Sequence, residues 1–165
     1  MIGIIAAIAI PSLLRARVAA NEAATIGDIR TLVAAQAGYA EANRGFFESQ
    51  DECLVAPARC IPGYSGPSVL NVEWTHSPRP GYAFAFHAGQ RFASGTAPPN
   101  MSPASTNGYA LIAYPIVAGQ TGMRALCADS SGTVCTATGV GPEGLAEVLE
   151  AAPGIRCSSV CTPLQ

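Results

Sequence analysis

The chain opens with a run, "IGIIAAIAI" at residues 2–10, that is apolar or small at every position, and Pro11 follows it. A helix apolar on all sides reserves no face for water, so such a segment is covered by protein or by lipid. From residue 12 to 43 little opposes a helix; Gly27 and Gly38 each cost about 1 kcal/mol relative to alanine, which a long packed helix absorbs. In the second half of this stretch Ile26, Ile29, Val33, Ala37 and Ala40 recur at intervals of three and four, widened by Leu32 and Tyr39. Asp28, Arg30 and Glu41 fall elsewhere on the circumference. A single stripe of this kind predicts a helix packed on the chain's own sheet, with Ile29, Val33 and Ala37 more buried than Asp28. Residues 2–14 are expected to project free of the domain. Small residues also align, Ala16, Ala20 and Ala24 on one line and Ala19, Ala23 and Gly27 on the next. Such rows let helix backbones approach closely, although alanine's helix propensity explains them without a partner.

Asn43, Arg44 and Gly45 end the helix, and a proline-bearing loop region runs from 45 to 80. Strand patterns begin with "GYAFAFHAG" at 81, where Tyr82, Phe84 and Phe86 alternate with Ala83, Ala85 and His87. "GYALIAYPIV" from 108 and "MRALCADSSGTVCTAT" from 123 follow, the latter with a hairpin turn at Asp129-Ser130-Ser131-Gly132. Between the first two lies "SGTAPPNMSPAST", expected to be an exposed loop. "PEGLAEVLEAA" reads as a short helix with Pro142 in its first turn. The fold class is therefore α+β: a helix over 1–44, the loop region 45–80, an antiparallel sheet of three or four strands over 81–138, and a tail with a short helix over 139–165.

Composition narrows the chemistry. All nine positive charges are arginine, which rules out a P-loop lysine or a Schiff-base amine. Charged residues are only 12% with net charge −2, so the basic stripe of a nucleic-acid binder is missing. The six cysteines form no Cys-x-x-Cys, and His76 and His87 are the only histidines, a poor set for zinc. Three disulfides in an oxidising compartment are expected. Six cysteines allow fifteen connectivities; proximity in sequence pairs Cys53 with Cys60, Cys127 with Cys135 and Cys157 with Cys161. Cys157 or Cys161 could instead pin the tail to the sheet. Gly63-Tyr64-Ser65-Gly66-Pro67 has the second glycine of a nucleophile elbow out of place and no strand before it. Glu143, Glu147 and Glu150 read as a solvated helix face, Trp74 as a packing aromatic, and Asp51, Glu52 and Asp129 lack the clustering of a calcium site. No catalytic residue, cofactor or metal is expected.

The segment "IGIIAAIAIPSLLRARVAANEAATIGDIRTLVAAQAGYA" resembles the N-terminal helix of type IV pilins and of type II secretion pseudopilins. "CIPGY", "GYAFAF" and "TGMRALCADSSGTV" are similar to globular parts of bacterial pilin-like proteins. The resemblance implies a pilin-like fold and a structural filament subunit, a homo-oligomer working with inner-membrane assembly machinery. It implies that residues 1–14 lie in membrane lipid before assembly and in the filament core afterwards, so that the subunit moves from the inner membrane to an extracytoplasmic filament. Gly3, Pro11, Ala16, Ala20 and Ala24 are the helix-assembly residues it points to, Pro11 matching the family's helix-loosening proline. The family's processing motif (a cleavage-site glycine, a phenylalanine and a glutamate) is absent, so the chain is expected to be N-terminally truncated. A secretory signal peptide cleaved after Ala7-Ile8-Ala9 competes, without the charged leading region it needs. A pilus subunit is the favoured reading. A pseudopilin and a soluble extracytoplasmic binding or enzymatic domain are the alternatives.

Overall fold

The computed structural model describes residues 2–71, 79–92, 98–137, 157 and 162–164, with side chains from residue 9 onward except those of 137 and 163. One helix, α1 (Ile2–Ala42), carries Pro11 in its interior. It ends where Gly45, at φ 87°, turns its N–H back to the Ala40 carbonyl at 2.7 Å. The region read as loop holds a two-residue strand β1 (Phe47–Glu48), a short helix α2 (Asp51–Val55) and a 3-10 turn at Pro57–Arg59. The remaining strands are β2 (Tyr82–Ala88), β3 (Ser105–Thr106), β4 (Tyr109–Pro115), β5 (Ala125–Asp129), β6 (Val134–Ala137) and β7 (Thr162–Pro163).

Strands β2, β4, β5, β6 and β7 form a five-stranded antiparallel sheet in that order, while β1 and β3 pair separately. The expected three or four strands thus become five, β7 being the tail laid beside β6. The Asp129–Gly132 turn closes the β5–β6 hairpin, with Gly132 N–H bonded to the Asp129 carbonyl at 2.9 Å.

Period-two alternation sorts the sheet residues into two packed faces. Toward α1, Leu111, Ala113, Leu126 and Ala128, with Tyr82, Phe84 and Phe86 beside them, pack on Ile29, Leu32, Ala35 and Tyr39. On the other face Ala110, Ile112, Ala125, Cys127 and Cys135 cluster with Cys157. Strands β4 and β5 are consequently buried on both sides through most of their length.

Two expectations need correction. Ala37 is exposed and Val33 only half-buried. The buried line of α1 instead runs Glu22, Thr25, Ile29, Leu32, Gln36, Tyr39, Asn43, alternating three and four residues. Four of its seven members are polar, so counting apolar residues placed its centre off by about one position. The Pro- and Ser-rich segment is not an exposed loop throughout either: Met101, Ser102, Ser105 and Thr106 are buried. Hydroxyls can be buried where partners await them, and here they do.

Candidate functional site

On the buried line of α1, Thr25 bonds back to the Asn21 carbonyl of its own helix at 2.8 Å, while Glu22, Gln36 and Asn43 each grip a distant piece of chain. Gln36 donates from Nε2 to the Glu48 carbonyl at 2.8 Å and accepts the Glu48 N–H at 3.0 Å, holding β1 as a neighbouring strand would. Asn43 accepts the Ser102 N–H at 3.0 Å and donates to the Phe46 carbonyl and to Ser105 Oγ. Glu22 accepts the Met123 N–H at 2.8 Å and pairs with the Arg124 guanidinium at 2.7 Å, while Asn21 donates to the Thr121 carbonyl at 2.9 Å. Arg79 lies over the Phe84 ring and pairs with Asp28 at 2.9 Å. Asn21 and Glu22 are the first buried positions along the described side chains of α1. The domain takes hold of the helix there.

Glu48 is wholly buried at the centre of this polar core. Its carboxylate accepts from Tyr39 Oη at 2.8 Å, Ser102 Oγ at 2.6 Å, Ser49 N–H at 2.8 Å and Gln50 N–H at 3.2 Å. Four donors meet a buried carboxylate's need for partners without a cation. Burial, and the Glu48 charge beside it, push the Tyr39 phenol above the usual range despite the Ser102 hydrogen bond. Burial also raises Tyr109, reinforced by Asp129. Tyr82 is pushed up to about 12, first by burial and then by the Glu22 charge. Its hydroxyl donates to the Arg124 carbonyl at 2.9 Å, and Gly122 lies so close to the ring that a Cβ there would collide with it. An adjoining cavity of about 300 Å³ is lined by Leu32, Gln36, Glu48, Asp51 and Phe86 among others.

N-terminal to Asn21 the helix is uncovered. Residues 9–17 are all exposed, including Ile10 at 59%, Leu13 at 71% and Leu14 at 52%. Pro11, Ala16, Ala20 and Ala24 are exposed as well; Gly3 belongs to α1, and its surroundings lie outside the described side chains. A proline inside a helix withholds one backbone N–H and strains the turn before it, yet α1 continues through Pro11. Among the described residues no helix is long and apolar enough to cross a membrane. Ile116, Val117 and Met123 add exposed apolar surface on the β4–β5 loop, which Asn21 and Glu22 hold beside the helix.

Cysteine chemistry departs from the expected pairing. Cys53 and Cys60 are joined, but Cys127 is bonded to Cys157, so neither the Cys127–Cys135 nor the Cys157–Cys161 pairing holds. Cys127 and Cys135 do stand directly opposite on β5 and β6, as hairpin proximity demanded. Cys127 is nonetheless bonded to the tail, and beside that bond Asp129 takes the Cys157 N–H at 2.5 Å on one carboxylate oxygen and Ser131 on the other. Cys135 is also oxidised; Cys161 lies outside the described residues. The sulfurs of Cys127, Cys135 and Cys157 are the one grouping of metal-donor atoms among the described residues, and disulfide sulfurs are not thiolate ligands. Asp129, engaged by Ser131 and Cys157, has its oxygens committed within the fold, and His87 stands on β2 opposite Ala110. His76, Trp74, Glu143, Glu147 and Glu150 lie outside the described residues.

The polar anchors escaped the reading of the sequence, which followed apolar periodicity alone. Their signal was present: Glu22, Thr25, Gln36 and Asn43 keep the three-four spacing of Ile29, Leu32 and Tyr39. Comparison with known proteins finds no matching family model, no matching curated protein and no matching solved structure.

Proposed function

We propose that this chain is a structural subunit of a type IV pilus-like filament, assembling through the N-terminal half of α1 and performing no catalysis of its own. The observation that carries the reading is the apolar helix surface at Ile10, Leu13 and Leu14, left open to solvent. An uncovered helix of that composition needs lipid or other subunits around it. The resemblance of its sequence to pilin helices supplies both, lipid in the inner membrane before assembly and neighbouring helices afterwards. The exposed row Ala16, Ala20, Ala24 permits the close helix approach that such a bundle requires. Disulfide-bonded cysteines suit an extracytoplasmic filament. A secretion pseudopilus would use the same helix surface.

The test is to express the protein, with whatever N-terminal leader its gene encodes, beside a type IV assembly machinery and to image the cells. Wild type should form filaments. Ala20→Leu adds bulk costing about 1 to 3 kcal/mol at each overpacked helix contact, repeated at every subunit, and should abolish them. Because Ala20 is exposed in the single chain, the folded domain should be unaffected. Normal filaments from Ala20→Leu would refute the packing claim. A wild-type protein that never leaves the membrane while a control pilin assembles removes the filament reading, and surface-length fibres against short periplasmic ones separate pilus from pseudopilus.

A further inference from the structure

Two open cavities of about 480 and 380 Å³ adjoin along the outer side of α1, both lined by Val33, Ala37 and Gly132. Together they form a groove between the helix and the turn of the β5–β6 hairpin. Along its floor Ala34, Ala37, Glu41 and Arg44 are exposed at successive intervals of three, four and three residues. Nearer the N-terminus Ile10, Leu13, Arg17 and Ala20 repeat that spacing, and every one of them is exposed too. The two rows are complementary position by position: large apolar against alanine, then arginine against glutamate, then alanine against arginine.

We propose that this groove receives the N-terminal half of α1 from a second copy of the chain, parallel to the first. Ile10 and Leu13 then lie over Ala34 and Ala37, and Arg17 faces Glu41. The offset is about 24 residues, roughly 36 Å at the rise of an α-helix. Neighbouring registers are worse. Only this offset faces Arg17 with Glu41; three residues further moves Arg17 past the helix end to Arg44, and four residues back sets Ile10 against Arg30. Small residues on the floor let the two helix axes approach at the short end of ordinary packing distances. The contact is heterologous: each copy offers a helix to one neighbour and a groove to another, so it propagates instead of closing. This inference rests on the filament reading and adds the register and partner surface that reading leaves open.

Leu13→Cys and Ala37→Cys introduced together into the full chain, oxidised in mild detergent, should give a ladder of linked dimers, trimers and longer species. Each single variant should give dimers at most. Glu41→Arg should weaken self-association about tenfold, an exposed attraction becoming a repulsion, and Arg17→Glu in the same chain should restore it. The same variants are then examined in cells carrying the assembly machinery. Filaments that form normally without the Leu13→Cys/Ala37→Cys crosslink, or a Glu41→Arg defect that Arg17→Glu leaves uncorrected, overturn the groove register and leave the filament reading standing. A chain that stays monomeric in detergent and makes no filaments in cells overturns both.

Discussion

Glu48 and Tyr82 show how single residues hold this molecule together. Glu48→Gln replaces a buried acceptor of four hydrogen bonds by an amide whose NH2 must face a donor. Leaving buried donors unmet costs about 1 to 3 kcal/mol, so thermal unfolding followed by circular dichroism should show a fall in Tm of several degrees. Glu48→Ala should cost more, since it also empties the site. Tyr82 gives a pH dependence. Its folded pKa lies near 12 against 10.0 for a free phenol, so the native state holds this proton more tightly than the unfolded chain. Its contribution is fully present below pH 10 and is lost as pH rises through that window toward 12. Tyr39 and Tyr109 are raised in the same sense. Denaturant midpoints measured from pH 8 to 12 should therefore fall above pH 10, and Tyr82→Phe should flatten part of that fall while removing one hydrogen bond worth about 1 kcal/mol.

Among the elements, α1 behaves as two helices in one. Its second half is fastened by paired polar side chains as well as by Ile29, Leu32 and Tyr39, and in its first half every described side chain before residue 18 is exposed. The clamp between Glu22 and the loop before β5 marks the border. Glu22→Ala leaves the Met123 N–H and the Arg124 guanidinium without their acceptor, at a cost of about 1 to 2 kcal/mol. Hydrogen exchange should rise at Met123 and along residues 116–123 while the amides of β4 keep their protection. On the free half, Leu13→Gln with Leu14→Gln removes exposed apolar surface and should leave Tm almost unchanged, within about 0.5 kcal/mol for surface substitutions. Solubility without detergent should improve.

For the whole molecule the disulfides decide how much of the chain is tied down. Cys53–Cys60 spans seven residues and Cys127–Cys157 thirty. If the stabilisation comes from loop entropy in the unfolded state, the shorter bond is worth roughly 2 to 2.5 kcal/mol and the longer roughly 3 to 4. Replacing Cys127 and Cys157 by alanine should thus lower the denaturant midpoint further than replacing Cys53 and Cys60. Peptide mapping without reduction should yield the Cys127–Cys157 linkage. A Cys127–Cys135 peptide would contradict the architecture, because the tail would then lose its bond to the sheet.

What the sequence alone determined about this protein is local in origin: the long helix with its unpatterned apolar opening, the alternation of β2, the glycine-closed hairpin after Asp129, and cysteines placed for oxidation. Each follows from residue spacing within a few turns or from the backbone demands of one turn. Only the tertiary structure decided which side of α1 faces inward, because that side is chosen by partners far along the chain: Ser102 for Asn43, Glu48 for Gln36, Arg124 for Glu22. The same holds for the Pro- and Ser-rich segment, buried where its hydroxyls meet Asn43 and Glu48, and for Cys127, which bonds to Cys157 although Cys135 faces it across the hairpin. Hydrophobic periodicity is visible in a chain before it folds, whereas the hydrogen-bond partners that make a polar residue buriable exist only after distant segments meet.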